Sequence, residues 1–279
     1  MDLDALRQLQ PAVAVAVLAA LLLAETAHPF FDAFRERSRS RHGVRNLALG
    51  AVNGLIVAVG FAGLWVAAAE WADARSFGLL NAVEIPAWAH LVGAVLLLDL
   101  WMYTWHRLNH RVPFLWRLHR VHHSDAQMDV TTASRFHTGE IVLSSALRIG
   151  VIAGLGVYAW ELVAYETVMF VVVQLHHANV GLPERLDRAL RLVIPTPAMH
   201  KIHHSRWQPE TDSNYGSLFS WWDRLFRTFR LRRDVSTVRL GLDGFDTPEH
   251  ESLRGLVAMP AAPLDGPVED ERNRPPEGE

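Results

Sequence analysis

The sequence contains no cysteine and only one lysine, Lys201, among its 279 residues. The lack of cysteine excludes disulfides, iron–sulfur clusters, zinc ribbons and a thiol nucleophile. Charged residues make up only 20% of the chain and the net charge is −3, so the chain carries no basic footprint for nucleic acid. Half of the residues are hydrophobic, which excludes a disordered chain, a collagen-like repeat and a coiled coil. We therefore expect a folded protein with no nucleic-acid partner.

Long apolar segments are the main feature of the first two thirds of the chain. Residues 47–69 are uncharged and have no polar stripe, which a surface helix of a globular protein normally needs. Residues 12–24, 85–105 and 141–175 are similarly apolar, and the last segment is long enough for a helical hairpin. The pattern predicts an all-α integral-membrane bundle of about four transmembrane helices, the last pair a hairpin. The alternatives are a cleaved signal peptide at the N-terminus and a soluble protein with buried core helices.

Arginines are distributed unevenly over the loops between these segments. The loop after the first segment contains five of them, namely Arg35, Arg37, Arg39, Arg41 and Arg45. The next loop contains Arg75 alone, together with three acidic residues. The positive-inside rule therefore places the first loop in the cytoplasm. Counting crossings from there predicts a multi-pass protein whose later polar regions form a helical cap on the cytoplasmic side.

The composition changes again near residue 232. Residues 232–279 are rich in proline, glycine and acidic side chains, which predicts a mobile C-terminal tail with no core of its own. We therefore expect one integral-membrane domain over 1–231, followed by this tail.

Histidines are concentrated between residues 106 and 204, where eleven of the fifteen lie. In HRLNH two of them are four residues apart, and HRVHH and HKIHH each place three at i, i+3 and i+4. These spacings put the rings on one face of a helix. The candidate metal ligands are His106, His110, His119, His122, His123, His137, His176, His177, His200, His203 and His204.

The number of clustered imidazoles indicates more than one metal ion. A structural zinc takes four ligands and a catalytic zinc three plus water, so eight imidazoles in three clusters predict two ions. Imidazole binds iron, zinc, copper and nickel, and the ligands alone do not choose among them. A nitrogen-rich pair of ions in a membrane favours redox-active iron that handles O2, with zinc as a substitute in a purified sample. The alternatives are a histidine-rich metal transporter or storage protein and a haem-binding electron carrier.

The motifs HRLNH, HRVHH, HHANV and HKIHH, followed by TDSNYG and WWDRLFRTF, resemble the fatty acid hydroxylase/sterol desaturase superfamily over about residues 91–229. The resemblance implies a helical membrane enzyme that uses two irons and O2 to hydroxylate or desaturate a membrane lipid, such as an acyl or alkyl chain, a sterol or a carotenoid. It also implies an external electron donor, either a reductase, a cytochrome b5-like or ferredoxin-like protein, or a pterin. Some relatives have a histidine where this chain has Val173, which leaves the ligand count of the third cluster open.

Several other polar residues are candidates for the same site. Asp99 lies two turns before His106 in an apolar segment, and we expect it to orient a ligand or a buried arginine, or to pair helices. A ligating imidazole usually donates its second N–H to a polar side chain. The candidates for that role are Asp125, Glu140, Asn179, Asp212 and Asn214. The isolated histidines His28, His42, His90 and His250 are expected at the surface or as helix caps.

Overall fold

The structure is a computed structural model that describes residues 3–32, 39–263 and 273–274. Every helix or strand element assigned within these ranges is helical. The prediction of an all-α fold is therefore confirmed. The α-helices in chain order are α1 (Leu3–Ala27), α2 (Arg39–Gly60), α3 (Ala62–Ala74), α4 (Ala87–Arg111), α5 (Pro113–His123), α6 (Thr138–Leu155), α7 (Ala159–His177), α8 (Glu184–Leu190), α9 (Pro197–His203), α10 (Gln208–Thr211), α11 (Trp221–Leu225) and α12 (Leu253–Ala258). Short 3-10 helices cover Val130–Ser134, Val235–Thr237 and Met259–Ala261.

Four of the helices are long and apolar enough to cross a membrane, namely α1, α2, α4 and α6. This agrees with the predicted number of spans. The predicted hairpin consists of α6 and the 19-residue helix α7, which follows after a turn at Gly156. Gly156 has a φ of +72°, and a Cβ there would lie 2.9 Å from the carbonyl oxygen of Phe77. The turn therefore requires glycine both for its left-handed backbone and for this close approach.

The second predicted span differs from the structure. The pattern predicts one helix over 47–69, whereas α2 ends at Gly60 and α3 begins at Ala62. Phe61 between them has a φ of −129°, outside the helical region. The helix α2 begins already at Arg39, and the side chain of its polar residue Asn46 donates hydrogen bonds to Asp125 (3.2 Å) and Thr131 (3.1 Å). These partners come from a distant part of the chain, which the apolar pattern does not reveal.

The two arms of the hairpin pack mainly on other helices. Helix α7 packs against α1, and α6 packs against α3, where the indole nitrogen of Trp65 donates to the carbonyl of Ser145 (3.0 Å). The main hydrophobic core lies among these helices and α4, with Leu98, Ile152 and Leu162 nearly inaccessible to solvent. This arrangement leaves space between α4, α6 and α7.

The clustered histidines all lie at one end of the helical bundle. Glu25, near the end of α1, accepts hydrogen bonds from the backbone amides of Val130 (2.7 Å) and Asn179 (2.6 Å) and pairs with Arg39 (2.6 Å) at the start of α2. The described part of the arginine-rich loop therefore lies at the same end as the cap. Arg35 and Arg37 lie outside the described residues.

Two of the isolated histidines are buried rather than exposed, so the expectation that they are surface or capping residues is wrong. His42 contacts Asp125 (2.8 Å) at the cap end of the bundle. His90 contacts Glu161 (2.9 Å) near the opposite end and stacks on Tyr158. Each ring pairs with a carboxylate more than seventy residues away in the chain, and this pairing compensates the burial of a polar ring.

The described part of the C-terminal segment packs on the membrane domain. Leu256 and Met259 are buried against Leu49 of α2 and Val121 of α5. The guanidinium of Arg117 donates to the carbonyls of Pro260 and Ala262. Residues 253–262 therefore cover the outer side of α5 and share a core with it. The division of the chain into two domains near residue 232 stays a prediction.

Asp99 connects α4 to the segment that follows the last histidine cluster. Its two carboxylate oxygens accept hydrogen bonds from the backbone amides of Leu218 and Phe219 (both 3.0 Å), the indole of Trp222 (2.8 Å) and the hydroxyl of Tyr165 (2.9 Å). These contacts tie α4, α7 and residues 218–222 together inside the bundle. None of these four partners is a histidine or an arginine, so Asp99 acts here by pairing elements of the fold.

We expect Asp99→Ala to lower the free energy of unfolding by about 3 kcal/mol or more, because four donors inside the bundle lose the carboxylate that accepts their hydrogen bonds. The unfolding midpoint in detergent, followed by far-ultraviolet circular dichroism, measures this change. Asp73→Ala, at an exposed position in α3, is the matched control and should have little effect. Equal midpoints for the two variants would contradict this role of Asp99.

Candidate metal centre

Four helices bring the histidine clusters together. The last two turns of α4 carry His106 and His110, and the last turn of α7 carries His176 and His177. Pro113 at the first position of α5 and Pro197 at the first position of α9 begin the two short helices that carry HRVHH and HKIHH. All rings of α5, α7 and α9 in these clusters are buried.

The rings form two separate groups of possible metal ligands. In each group the ligand nitrogens all lie within 4.8 Å of one another. The first group consists of His106, His110, His119, His123 and His203, and the second consists of His122, His177, His200 and His204. Each group could hold one ion.

The helical spacing explains how each cluster is divided between the groups. On α5, His119 and His123 are four residues apart and share one face in the first group, whereas His122 faces the second group. On α9 the division is reversed, because His203 joins the first group and the other two rings join the second. Each i, i+3, i+4 motif therefore supplies both groups, and the rings of His123 and His204 stack at 4.4 Å between them.

Backbone carbonyls fix the protonation state of two rings in the first group. The Nδ1 atom of His106 lies 2.9 Å from the carbonyl oxygen of Tyr215, and the Nδ1 atom of His203 lies 2.6 Å from that of Ser213. A carbonyl oxygen can only accept, so both Nδ1 atoms carry the hydrogen and both Nε2 atoms carry a lone pair. These two Nε2 atoms face each other at 3.0 Å. Two lone pairs at this distance repel each other unless a cation lies between them.

The second group shows the same arrangement. The Nδ1 atom of His177 donates to the carbonyl of Val173 (2.7 Å), and that of His122 donates to the carbonyl of Arg135 (3.3 Å). The Nε2 atom of His177 then lies 3.0 Å from the Nε2 atoms of both His122 and His200. Three imidazole nitrogens therefore point at one small volume.

A proton does not satisfy these lone pairs near neutral pH. Burial lowers the pKa of His203 to about 3, although its hydrogen bond to Ser213 acts in the opposite direction. Burial, and then the neighbouring rings, also lower the pKa well below the usual value in His122, His123, His200 and His204. Neutral imidazoles are the form that binds metal ions, so the rings are in the right state for coordination.

The unpaired ring nitrogens fit metal binding as well. Among the described residues, seven histidine rings have at least one buried nitrogen without a hydrogen-bond partner, namely those of His42, His110, His119, His123, His176, His200 and His204. Five of them belong to the two groups. A buried polar atom without a partner is costly, and a metal ion would satisfy these nitrogens.

Two of the predicted polar partners contact rings of the first group. The Nδ1 atom of His119 donates to Glu140 (3.0 Å), whose same oxygen accepts a hydrogen bond from Asn109 (2.9 Å). The Nδ1 atom of His110 lies 3.5 Å from Asp212. Glu140 therefore orients the ring of His119, and both carboxylates lie where they can balance part of the charge of a bound cation.

Other predicted site residues lie outside the two groups. His137 caps α6 by accepting a hydrogen bond from the amide of Gly139 (3.0 Å), and its other nitrogen faces the carbonyl of Val257. His176 stacks on His200 with 3.9 Å between ring centroids. Asn179 exchanges two hydrogen bonds with the backbone of Phe31 (3.0 and 3.1 Å), which joins the end of α1 to the chain after α7.

Asn214 holds the two carbonyls that orient His106 and His203. It has a φ of +54°, and its side chain exchanges hydrogen bonds with the backbone of Arg230 (both 2.9 Å) and donates one to the carbonyl of Met199 (3.1 Å). The carbonyls on either side of it, those of Ser213 and Tyr215, accept the two ring N–H groups. Asn214 is therefore a positioning residue for the first group.

Sequence reasoning missed a supporting network on the far side of α5. Arg135 is buried and donates to Asn46, Ser124 and the carbonyl of Val121, and its own carbonyl accepts the N–H of His122. Asp125, a predicted partner of a ligand, instead contacts His42 in this network. No motif could have revealed Arg135, because it acts on the ring through its backbone.

The lone lysine was also missed. Lys201 is buried between two of the histidines of α9 and donates to the carbonyl of Ala178 (2.9 Å), just after α7. This hydrogen bond joins the end of α7 to α9, two of the three helices that supply the second group. Burial lowers the pKa of Lys201 to about 7. The one feature of the sequence that could have drawn attention to Lys201 is that it is the single lysine of the chain.

An apolar cavity of about 180 Å³ leads away from the histidines between α4, α6 and α7. At one end it is lined by rings of both groups, including His106, His119 and His177. Its walls are formed by Trp105, Ile141, Ser144, Met169, Phe170 and Val173. A hydrocarbon chain in this cavity would have one end beside the candidate metal groups.

We expect His200→Ala to lower the metal content of the purified protein by half or more, because the second group loses one of its four rings. Elemental analysis by mass spectrometry measures the metal per chain. His137→Ala is the matched control and should keep the wild-type content, since that ring lies outside both groups. Equal metal content in the two variants would contradict the grouping.

We expect Asn214→Ala to lower metal content and to destabilise the protein by about 2–3 kcal/mol, because it loses its side-chain hydrogen bonds and keeps a strained φ. Asn214→Gly relieves the strain but still loses the hydrogen bonds, so its effect should be smaller. Elemental analysis and thermal unfolding measure both effects. Ser76, whose φ is +48° in the turn after α3, provides the control. If Ser76→Ala lowers metal content as much, Asn214 has no specific positioning role.

Comparison with known proteins agrees with this site. The fatty acid hydroxylase family model matches residues 91–228, about half of the chain. The chain is 31% identical to the ornithine lipid hydroxylase of Rhizobium tropici over 169 residues, which are 58% of this chain and 46% of that protein. It is 30% identical to the alkylglycerol monooxygenase of Caenorhabditis elegans over 151 residues, 52% of this chain and 28% of the relative.

A third relative is the cholesterol 25-hydroxylase-like protein of Danio rerio, 30% identical over 50% of this chain and 54% of that protein. The chain therefore spans between about a quarter and about half of the length of these relatives. No solved structure matches it at a significant level. The matched segment contains all eleven clustered histidines, and through residues 91–228 the chain belongs to the fatty acid hydroxylase family.

Proposed function

We propose that this protein is an O2-dependent di-iron monooxygenase that hydroxylates a C–H bond of a membrane lipid. The observation that carries the proposal is the position of two histidine groups at one end of an apolar cavity within a bundle of membrane-length helices. The three relatives are named as lipid hydroxylases or monooxygenases, which supports lipid C–H oxidation.

The reaction converts R–H, O2, two electrons and two protons into R–OH and water. Two iron ions bound by the histidine groups would supply O2 activation and electron transfer at that site. The electrons would come from an external donor, either a reductase, a cytochrome b5-like or ferredoxin-like protein, or a pterin. Desaturation of the same chain is a related outcome of this chemistry.

The chain's own residues would bind and position the lipid. Trp105, Ile141 and Phe170 provide an apolar wall that excludes water and holds a hydrocarbon chain along the helices. Glu140 holds the ring of His119 in place by a hydrogen bond, so this ligand needs little rearrangement. We favour a long acyl or alkyl chain over a sterol or carotenoid as substrate, because a narrow cavity between three helices fits a single chain.

The orientation in the membrane follows from the same arrangement. Arg41 and Arg45 lie in the first turns of α2, at the end of the bundle that carries the histidine groups. By the positive-inside rule we propose that this end faces the cytoplasm, where a soluble electron donor could reach it.

Metal transport or storage is the second candidate function, because a histidine-rich site by itself fits transport or storage as well as catalysis. Transport requires ligands along the depth of the membrane. Within the described ranges, both histidine groups lie at the same end of the bundle, which favours catalysis over transport.

The test is oxidation of lipid by the purified, iron-loaded protein with a chemical or enzymatic electron donor. We expect about two irons per chain and incorporation of one oxygen atom from ¹⁸O2 into a lipid extracted from the host membrane. His203→Ala/His204→Ala removes one ring from each group and should reduce product by at least about 100-fold without loss of membrane insertion.

Comparative lipidomics of cells with and without the protein then identifies the substrate by a mass gain of one oxygen. His28→Ala, a residue outside both groups, serves as the control and should leave activity unchanged. Metal uptake into proteoliposomes without any O2-dependent product would contradict the enzymatic proposal and support transport.

A further inference from the structure

A charged side chain lines the apolar cavity at the end away from the histidines. Arg148 of α6 lines the cavity and forms an ion pair with Glu166 of α7. Its guanidinium also lies 3.1 Å from the sulfur of Met102 on α4 and 5.0 Å from the ring centre of Trp65 on α3. Arg148 therefore contacts α4 and α7, the other two helices that form the cavity, and it also contacts α3.

The cavity has the same length along its walls on α6 and α7. On α6 it extends from Glu140 to Arg148, eight residues apart, and on α7 from Met169 to His177, also eight residues apart. At 1.5 Å per residue both spacings correspond to about 12 Å. The histidine groups lie at one end of this length, and Arg148 lies at the other.

An arginine at this depth is costly in a membrane, and such residues usually have a function. Its charge is balanced by Glu166, which also accepts a hydrogen bond from Gln10 of α1. Because the pair is neutral as a whole and held by neighbouring helices, it does not require an anionic group from a ligand. The Arg148–Glu166 pair instead occupies the space between α4, α6 and α7.

We propose that the Arg148–Glu166 pair is the floor of the lipid cavity and limits the hydrocarbon length that fits beyond the oxidised carbon to about 12 Å. This inference rests on the proposed function, since it concerns the lipid bound at that site. A chain that enters methyl end first stops at the guanidinium. The oxidised carbon is then set by its distance from the methyl end of the chain.

The test uses fatty acids of graded length, from octanoic to octadecanoic, with a diazirine at the methyl end, bound to the protein in phosphatidylcholine vesicles. Photolabelling and peptide mapping report where the methyl end lies. In the wild-type protein we expect labels at the level of Met102, Arg148 and Met169. The amount of label at these residues should decrease for the longest acids. This readout requires neither metal nor turnover.

Two double variants separate the bulk of the pair from its charge. Arg148→Ala/Glu166→Ala opens the floor, and we expect the labelling ratio of octadecanoic to decanoic acid to rise about tenfold, as burial of roughly two further methylene groups would give. Arg148→Met/Glu166→Gln keeps the bulk without the charge and should retain the wild-type ratio. Ser144→Phe, one turn closer to the histidines, should shift the preference to shorter acids.

The outcomes distinguish this inference from the proposed function. The proposed floor is contradicted if the labelling ratio of octadecanoic to decanoic acid is unchanged in the alanine double variant. It is also contradicted if this ratio rises equally in the methionine–glutamine variant. If the alanine variant does not fold, the absence of any shift in Ser144→Phe overturns it instead. When the wild-type protein oxidises lipid, the position of the hydroxyl should move toward the head of the chain in the alanine variant. Absence of any product with the expected labelling pattern rejects the proposed function and leaves the floor intact.

Discussion

The structure depends on buried imidazole nitrogens whose lone pairs face each other. His106 and His203 each use one ring nitrogen to donate to a backbone carbonyl, so the remaining nitrogens meet at 3.0 Å with no proton between them. Burial disfavours protonation, and only another cation can relieve the repulsion. The same holds for His122 and His177 in the second group. The protein therefore holds a geometry that is unfavourable by itself and becomes favourable when metal ions bind.

The rest of the fold keeps these rings from moving apart. Asp99 and Glu25, both near or inside the membrane part of the bundle, accept backbone amides of the cap and fix it on the helices. Asn214 adopts a left-handed backbone and presents two neighbouring carbonyls to the first group. Residues 253–262 cover the outer face of α5. Each of these contacts joins segments that are far apart in sequence, so removing one should loosen the site as a whole.

The cavity extends from the two histidine groups into the helical bundle. The hairpin helices α6 and α7 pack mainly on α3 and α1, and an apolar space remains between them and α4. One end of this space has imidazole nitrogens and the other has the Arg148–Glu166 ion pair. This separation of polar ends by an apolar middle suits a hydrocarbon chain better than a compact polar ligand.

The sequence alone determined the helical class, the membrane segments and the residue types of the site, because these depend on local periodicity and on the i, i+3 and i+4 spacing of histidines. It did not determine that HRVHH and HKIHH each divide between two groups, since a spacing fixes a helix face but not the direction of its neighbours. The burial of His42 and His90, and the role of Arg135, depended on carboxylates and backbone carbonyls far away in the chain. Only the tertiary structure decided these contacts, because they arise from the packing of elements whose relative positions no local pattern encodes.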